Sequence, residues 1–404
     1  MQRTAPVGRT GLALLVAALV VDGLDTAALP AALPAIAADW GIHPTSLTRA
    51  LMLTALGTVL GYLGSGALTR RWGRQTVVWR SVLMFGLATL PIVVVAAEWQ
   101  MEVVRFVTGI GLGLVLPAAV SIGGDLMPRQ RQSAAMVVVL GLAAGNLLGG
   151  LIFGPLIAEF GWRAAFVVPA VVAIPVAVAI ARWPGVDGRR PVHSPNLALR
   201  PLLQPSLRVA SLALWAGAFT VFLAYSILQS WLPSMAVVAG ASPQAAPLTL
   251  AAMAGGGLAG GLVAAGVRGR AGLGVTLVVM LVIAAAALLI TAALQASALP
   301  LLAVAGAGLI AGAAGLAALA VQLYPRPVRI IGVGVTAAFG RVATIVAPVV
   351  GAVMMRHDHI AALMVVAGGL AVLSAGLLWI PARTGSAHVR TRVPALSRQR
   401  TRRP

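Results

Sequence analysis

Twelve stretches of about 20 apolar residues, five without a charge and none with more than three, leave this chain one place to fold, which is across a lipid bilayer. A helix rises about 1.5 Å per residue, so such a stretch covers the roughly 30 Å of hydrocarbon in a membrane. The stretches fall at about 11–37, 46–68, 76–97, 102–126, 133–157, 163–182, 208–236, 244–266, 273–294, 298–323, 330–355 and 361–381. Composition agrees. Sixty per cent of the residues are hydrophobic and only 9% charged, where a soluble domain carries about 25%. The first stretch is too long for a signal-peptide core and is followed by others, so it is read as a retained span. The expectation is an all-α membrane protein of twelve transmembrane helices in two pseudo-symmetric six-helix bundles.

A net charge of +20 usually suggests nucleic acid, but the arginines argue otherwise by their placement. With the N-terminus inside, 24 of the 29 fall in the tails or in and beside the even-numbered loops. The opposite side keeps Arg49, Arg163 and Arg356 beside Asp39, Glu98, Glu102, Glu159 and Asp358. This asymmetry is the positive-inside rule, and it places both termini in the cytoplasm of a protein of the cell (inner) membrane. The basic C-terminal run is read as a disordered tail near anionic lipid, with no nucleic-acid partner.

A polar stretch rich in Pro, Gly and Arg, residues 183–207, divides six helices from six. The expected layout is therefore a bundle over 1–182, a cytoplasmic linker over 183–207, a second bundle over 208–381 and a basic tail over 382–404. Paired halves with a site between them near mid-membrane are a common plan for secondary transporters. The chain has no cysteine, and its five histidines lie in loops or tails, so no metal is expected; the pair His357 and His359 reads as solvated. The glycine runs at 141–150 and 255–261 lie inside apolar helices and lack the P-loop lysine, so helix packing explains them. No hydrolytic or nucleotide-binding set is present, no cofactor is expected, and the chain does not read as an enzyme. Transport driven by an ion gradient remains.

The charges within the apolar segments indicate which gradient. Asp22 and Asp25 lie mid-way along the first segment, where even a lenient scale charges about 2.5–3.5 kcal/mol for each carboxylate. Three residues apart, they occupy neighbouring positions of a helix face. Burial and mutual repulsion make such a pair titrate as one unit, which is the minimum that proton coupling needs. A permanent pairing of one aspartate with an arginine, or the capping of a broken helix near Gly23, is the structural alternative, sodium is the rival ion, and Arg105 in the fourth segment is a candidate partner for either aspartate. Arg341, near the middle of the eleventh segment, carries a planar fork suited to a carboxylate; an acidic substrate or an internal ion pair both fit it.

The run Asp22-Gly-Leu-Asp25 followed by Pro34, the block from Arg105 to Gly113 with Pro117 and Asp125, Ser230-Trp231-Leu232-Pro233, and Gly340-Arg341 with Pro348 together resemble the aromatic acid:proton symporter family of the major facilitator superfamily. The resemblance covers nearly the whole membrane region. It implies alternating access, with helices one, four, seven and ten lining the cavity. On that template Asp22, Asp25 and Arg105 are coupling residues and Arg341 takes the substrate carboxylate. Trp215, Phe219, Phe222 and Tyr225, spaced along one side of helix seven, are candidates for stacking on an aromatic ring or for packing against lipid and helices. Gln229, Asn146 and Gln322 are candidate donors to a ring hydroxyl.

Two departures stand out. The loop after helix two puts Arg70 where the family carries an acid, and Arg74 with Asp125 is then the available cytoplasmic gate pair. Leu24 replaces the aromatic expected between the two aspartates. The reading is a proton-coupled importer of a small aromatic acid of the benzoate or hydroxybenzoate type, working as a monomer with protons and lipid as its other partners. The alternatives are a proton-coupled exporter of drugs or metabolites on the same fold, and a non-transporting membrane receptor or scaffold.

Overall fold

Glycines in the left-handed region end several of the apolar segments: Gly41 (φ 63°), Gly73 (φ 86°), Gly161 (φ 79°) and Gly240 (φ 90°). A residue with a Cβ is strained there, so these four positions fix where the chain leaves one helix for the next. A computed structural model describes residues 4–127, 131–185, 200–266, 270–294, 298–325, 328–355 and 360–390. The described residues form twelve long helices and no strand: α1 (Thr4–Trp40), α2 (Thr48–Trp72), α3 (Arg74–Thr89), α4 (Glu98–Leu126), α5 (Arg131–Phe160), α6 (Ala164–Arg182), α7 (Arg208–Val238), α8 (Leu248–Gly266), α9 (Arg270–Leu294), α10 (Leu299–Leu323), α11 (Arg329–Met355) and α12 (Ile360–Arg390).

Two boundaries differ from those read in the sequence. α1 begins at Thr4 rather than near residue 11, and α12 continues to Arg390, into the stretch assigned to a basic tail from 382. Alanine and arginine are good helix formers, and a helix need not stop where the hydrocarbon does. Residues 186–199 of the expected linker, and 391–404 of the tail, lie outside the described residues.

The packing repeats between halves. In the first half α1 lies along α5, α2 along α4 and α3 along α6. Adding six to each number gives the partners of the second half: α7 with α11, α8 with α10, and α9 with α12. Contacts between the halves obey the same rule, with α2 on α11 mirrored by α8 on α5, and α1 facing α7 across the axis. Glycines let these helices meet backbone to backbone. A side chain at Gly23 or Gly145 would collide with the opposite helix of the α1–α5 pair, and Gly61 and Gly113 stand in the same relation between α2 and α4.

The buried apolar residues sort into two cores. One includes residues from both halves, but from the first half it takes only the end away from the start of α1, such as Leu29, Leu33, Ile36, Met101, Phe153 and Phe166. The other belongs to the first half alone, at the end where α1 starts, and holds Leu15, Leu19, Val78, Phe85, Val115 and Ile180. Among the described residues the halves are thus joined through one end of the molecule and have separate interiors at the other.

Candidate substrate and coupling site

Asp22 and Asp25 part company in the structure. Three positions on a helix turn through 300°, so the two side chains leave α1 about 60° apart, and that is enough to send them into different surroundings. Asp25 points into the first bundle and is fully buried. Its Oδ2 accepts a hydrogen bond from Arg105 Nη1 at 2.9 Å, and its Oδ1 one from the Thr89 hydroxyl at 3.1 Å. Thr89 in turn lies 3.2 Å from the Thr108 hydroxyl. Arg105, 1% exposed, sits over the Phe166 ring at 5.9 Å. This ion pair ties α1 to α3, α4 and α6 inside one half, so the pairing of Arg105 is with Asp25.

Asp22 faces the other way. Among the described residues its Oδ1 accepts one hydrogen bond, from the Thr26 hydroxyl at 3.3 Å, and its side chain lies within Coulombic range of Asp25 and, on the opposite half, of Arg341. Arg341 forms no ion pair among the described residues. One nitrogen, Nη2, donates to the Tyr62 hydroxyl on α2 at 2.6 Å. The guanidinium lies 4.1 Å from the centre of the Tyr62 ring and 5.8 Å from that of Phe222 on α7. Tyr225, one turn further along α7, also feels the Arg341 charge. A second polar link crosses between halves nearby, where Gln229 Nε2 of α7 donates to Asn146 Oδ1 of α5 at 2.7 Å and the Asn146 amide donates back to Leu142 O at 2.9 Å.

The site therefore gathers Asp22 from α1, Tyr62 from α2, Asn146 from α5, Phe222, Tyr225 and Gln229 from α7, and Arg341 from α11. It holds groups suited to an aromatic anion: a cation that forms no ion pair among the described residues, two aromatic rings within 6 Å of it, amide groups, and a carboxyl group. Trp215 and Phe219 lie closer to the start of α7. Trp215 stacks on Phe339 of α11, with centroids 5.5 Å apart and planes at 15°, and the two line a groove of about 390 Å³ with Leu212, Phe219 and Thr220. Gln322 is nearly the last residue of α10, roughly 18 Å along the bundle from the level of Arg341 at 1.5 Å per residue, so the structure does not bring it to the site.

Arg74 Nη1 donates to Asp125 Oδ2 at 2.7 Å and to Ser121 Oγ at 2.9 Å. Both residues belong to the first half, so the pair braces the ends of α3 and α4 to each other. Arg70 is exposed, with no acid beside it among the described residues. Removing the brace loosens the end of one bundle far from the ligand groups. Asp125→Ala is accordingly expected to cut initial uptake rates several-fold while preserving the ratio of rates between two substrates. His357 and His359 lie outside the described residues.

Tyr62, Thr26, Thr89 and Thr108 escaped the sequence reading. Tyr62 carried a signal all the same, because it is one of three tyrosines in the chain and sits mid-way along an apolar helix, where its hydroxyl requires a partner.

Twelve helices in two halves related by a repeat, with charged and polar groups converging between them at mid-depth, define a secondary transporter. Sequence comparison is in accord: the chain belongs to the Major Facilitator Superfamily, whose family model matches residues 15–316. The family and the curated relatives are transporters rather than enzymes. The chain is 30% identical over 258 residues to the 4-hydroxybenzoate transporter PcaK of Pseudomonas aeruginosa, a match covering 55% of this chain and 57% of that one. It is 29% identical over 383 residues to the 3-(3-hydroxy-phenyl)propionate transporter of Escherichia coli, covering 91% of each. The match thus spans a little over half the length of the first curated relatives, and most of the last. Among solved structures, a D-xylose–proton symporter superposes with a TM-score of 0.75 at 17% identity, over 92% of this chain and 97% of that one, which establishes the shared fold.

Proposed function

We propose that this protein imports a small aromatic carboxylate, of the benzoate or hydroxybenzoate type, together with a proton by alternating access. The observation that carries the reading is Arg341, a cation at mid-depth on the interface between the halves, beside two aromatic rings and with no ion pair among the described residues. A guanidinium in that setting is costly unless something negative arrives, and its fork fits a carboxylate bidentately. The Phe222 and Tyr62 rings offer faces to an aromatic ring, and the Gln229–Asn146 pair offers groups that can hydrogen-bond a ring hydroxyl. The names of the relatives support the same substrate class.

Asp22 supplies the coupling in this reading. As a carboxylate near Arg341 it competes electrostatically with an incoming anion; with a proton on it, that opposition is gone. Proton and substrate then each bind better in the presence of the other, as linkage requires. Asp25 and Arg105 hold the frame of the first bundle. The layout of two bundles, 1–182 and 208–381, joined by the cytoplasmic stretch 183–207 in a monomer of the inner membrane, with both termini inside, completes the proposal.

The test is uptake of labelled benzoate and 4-hydroxybenzoate into proteoliposomes under an inward proton gradient. Wild type should accumulate one or both, and a protonophore should abolish it. Arg341→Ala should weaken binding at least about a hundredfold, because two charge-assisted hydrogen bonds of about 1.5–3 kcal/mol each are lost. Arg341→Lys keeps the charge without the fork and should recover only part. Folded wild-type protein that binds neither acid would overturn the substrate assignment.

A further inference from the structure

Tyr62 and Arg341 belong to different halves, and the bond between them is the nearest thing the site has to a clasp. It joins α2 to α11, two of the helices through which the halves touch. Tyr62 is the sole hydrogen-bonding partner of the guanidinium among the described residues, and its neutral hydroxyl engages one of five N–H groups. A carboxylate would engage two of them, with charge on both sides of each bond, and such bonds are roughly twice as strong as those to neutral acceptors. The hydroxyl therefore occupies the position a substrate carboxylate needs, with a weaker hold on it.

We infer that Tyr62 is a displaceable stand-in for the substrate: the incoming carboxylate takes the Arg341 fork from the Tyr62 hydroxyl and thereby opens a link between the two halves. The inference rests on the proposed function, since it assumes that an aromatic carboxylate binds at Arg341. Displacement costs only the hydroxyl contact, because the ring, 4.1 Å from the guanidinium, can remain beneath it as a cation–π face. Binding and release of the interface become one event at one atom pair. The second cross-link, Gln229 to Asn146, has neutral groups on both sides and no charge for an anion to claim, so it stays closed in this step. Tyr62 is on this view a positioning residue whose hydroxyl opposes binding and whose ring favours it.

That opposition makes the test unusual, because removing a polar group from the site should strengthen binding. Tyr62→Phe keeps the ring and deletes the competing oxygen; benzoate, which has no ring hydroxyl, is the probe. Affinity measured on purified protein should rise, by up to about tenfold or ~1.4 kcal/mol. Tyr62→Ala removes the ring as well and should forfeit that gain. A second readout follows the interface directly. The chain has no cysteine, so spin labels placed at Arg71→Cys on α2 and Val263→Cys on α8 report one distance between the halves. Benzoate should shift that distance in wild type, and Tyr62→Phe should show the shifted distribution before any benzoate is added. Binding of benzoate to wild type with equal or weaker binding to Tyr62→Phe would overturn the displacement and leave the proposed function standing. An unshifted distance in unliganded Tyr62→Phe would likewise overturn the clasp. No binding of benzoate or 4-hydroxybenzoate to wild type would overturn the proposed function and this inference with it.

Discussion

Asp22→Asn is expected to abolish concentrative uptake, by a hundredfold or more at the steady state, while exchange of internal for external substrate continues. The substitution mimics the protonated side chain, neutral and able to donate, so the site should accept the anion at any pH. Without a carboxylate to release its proton on the far side, the pH gradient has nothing to act on. The Thr26 hydroxyl, which donates to Asp22 Oδ1, can still reach the amide oxygen, so the local packing should hold. The measurement pairs two assays on the same proteoliposomes: accumulation under an inward proton gradient, and counterflow with no gradient. Loss of both would mean that Asp22 is needed to bind substrate rather than to couple it. Retention of both would remove it from the mechanism.

The second large effect is on stability. Arg105→Ala leaves the Asp25 carboxylate fully buried without its cation, and breaking a buried pair from one side typically costs about 3–5 kcal/mol. The thermal midpoint of the protein in detergent should fall by many degrees. The double variant Asp25→Asn/Arg105→Gln removes both charges together and should regain most of that loss, giving a strong coupling in the mutant cycle. Thr89 and Thr108 keep partners in such a variant, because the asparagine oxygen can still accept from Thr89. If the double variant is as unstable as Arg105→Ala, the network matters by its shape rather than by its charge. If it is stable and still concentrates substrate with a proton, Asp25 is confirmed as framework.

The contrast between Asp22 and Asp25 shows what the sequence can and cannot convey. Hydropathy and segment length are sums over about 20 residues, so the membrane fold, the two halves and the mid-depth charges were readable from them. The partner of Arg105 was narrowed to two candidates by charge alone. Choosing between them needed the rotation of α1, which depends on where Gly23 meets Gly145, and no local pattern encodes that meeting. The Arg341–Tyr62 contact is harder still. Its residues are 279 positions apart and sit on different halves, so only the assembled interface brings them together. Gln322 fails for a simpler reason: its polarity suggested a donor, whereas its place at the end of α10 puts it at the wrong depth. Spacing grouped the helix-seven aromatics together, whereas the structure sends Trp215 to Phe339 and Phe222 to Arg341.

The core shared at one end and divided at the other carries a thermal signature. To present the site to the opposite side, the protein must part the apolar surfaces that include Leu33, Phe153 and Leu232, and close others at the end where the halves are separate. If opening runs ahead of closing, the crest of that motion exposes more oily surface to water than either resting state does. Wetting such surface raises the heat capacity, so the turnover rate should not follow a straight line against inverse temperature but bend along it. Tightly coupled ends would give a straight line instead, so the shape of that plot reports the order in which the two ends of the molecule move.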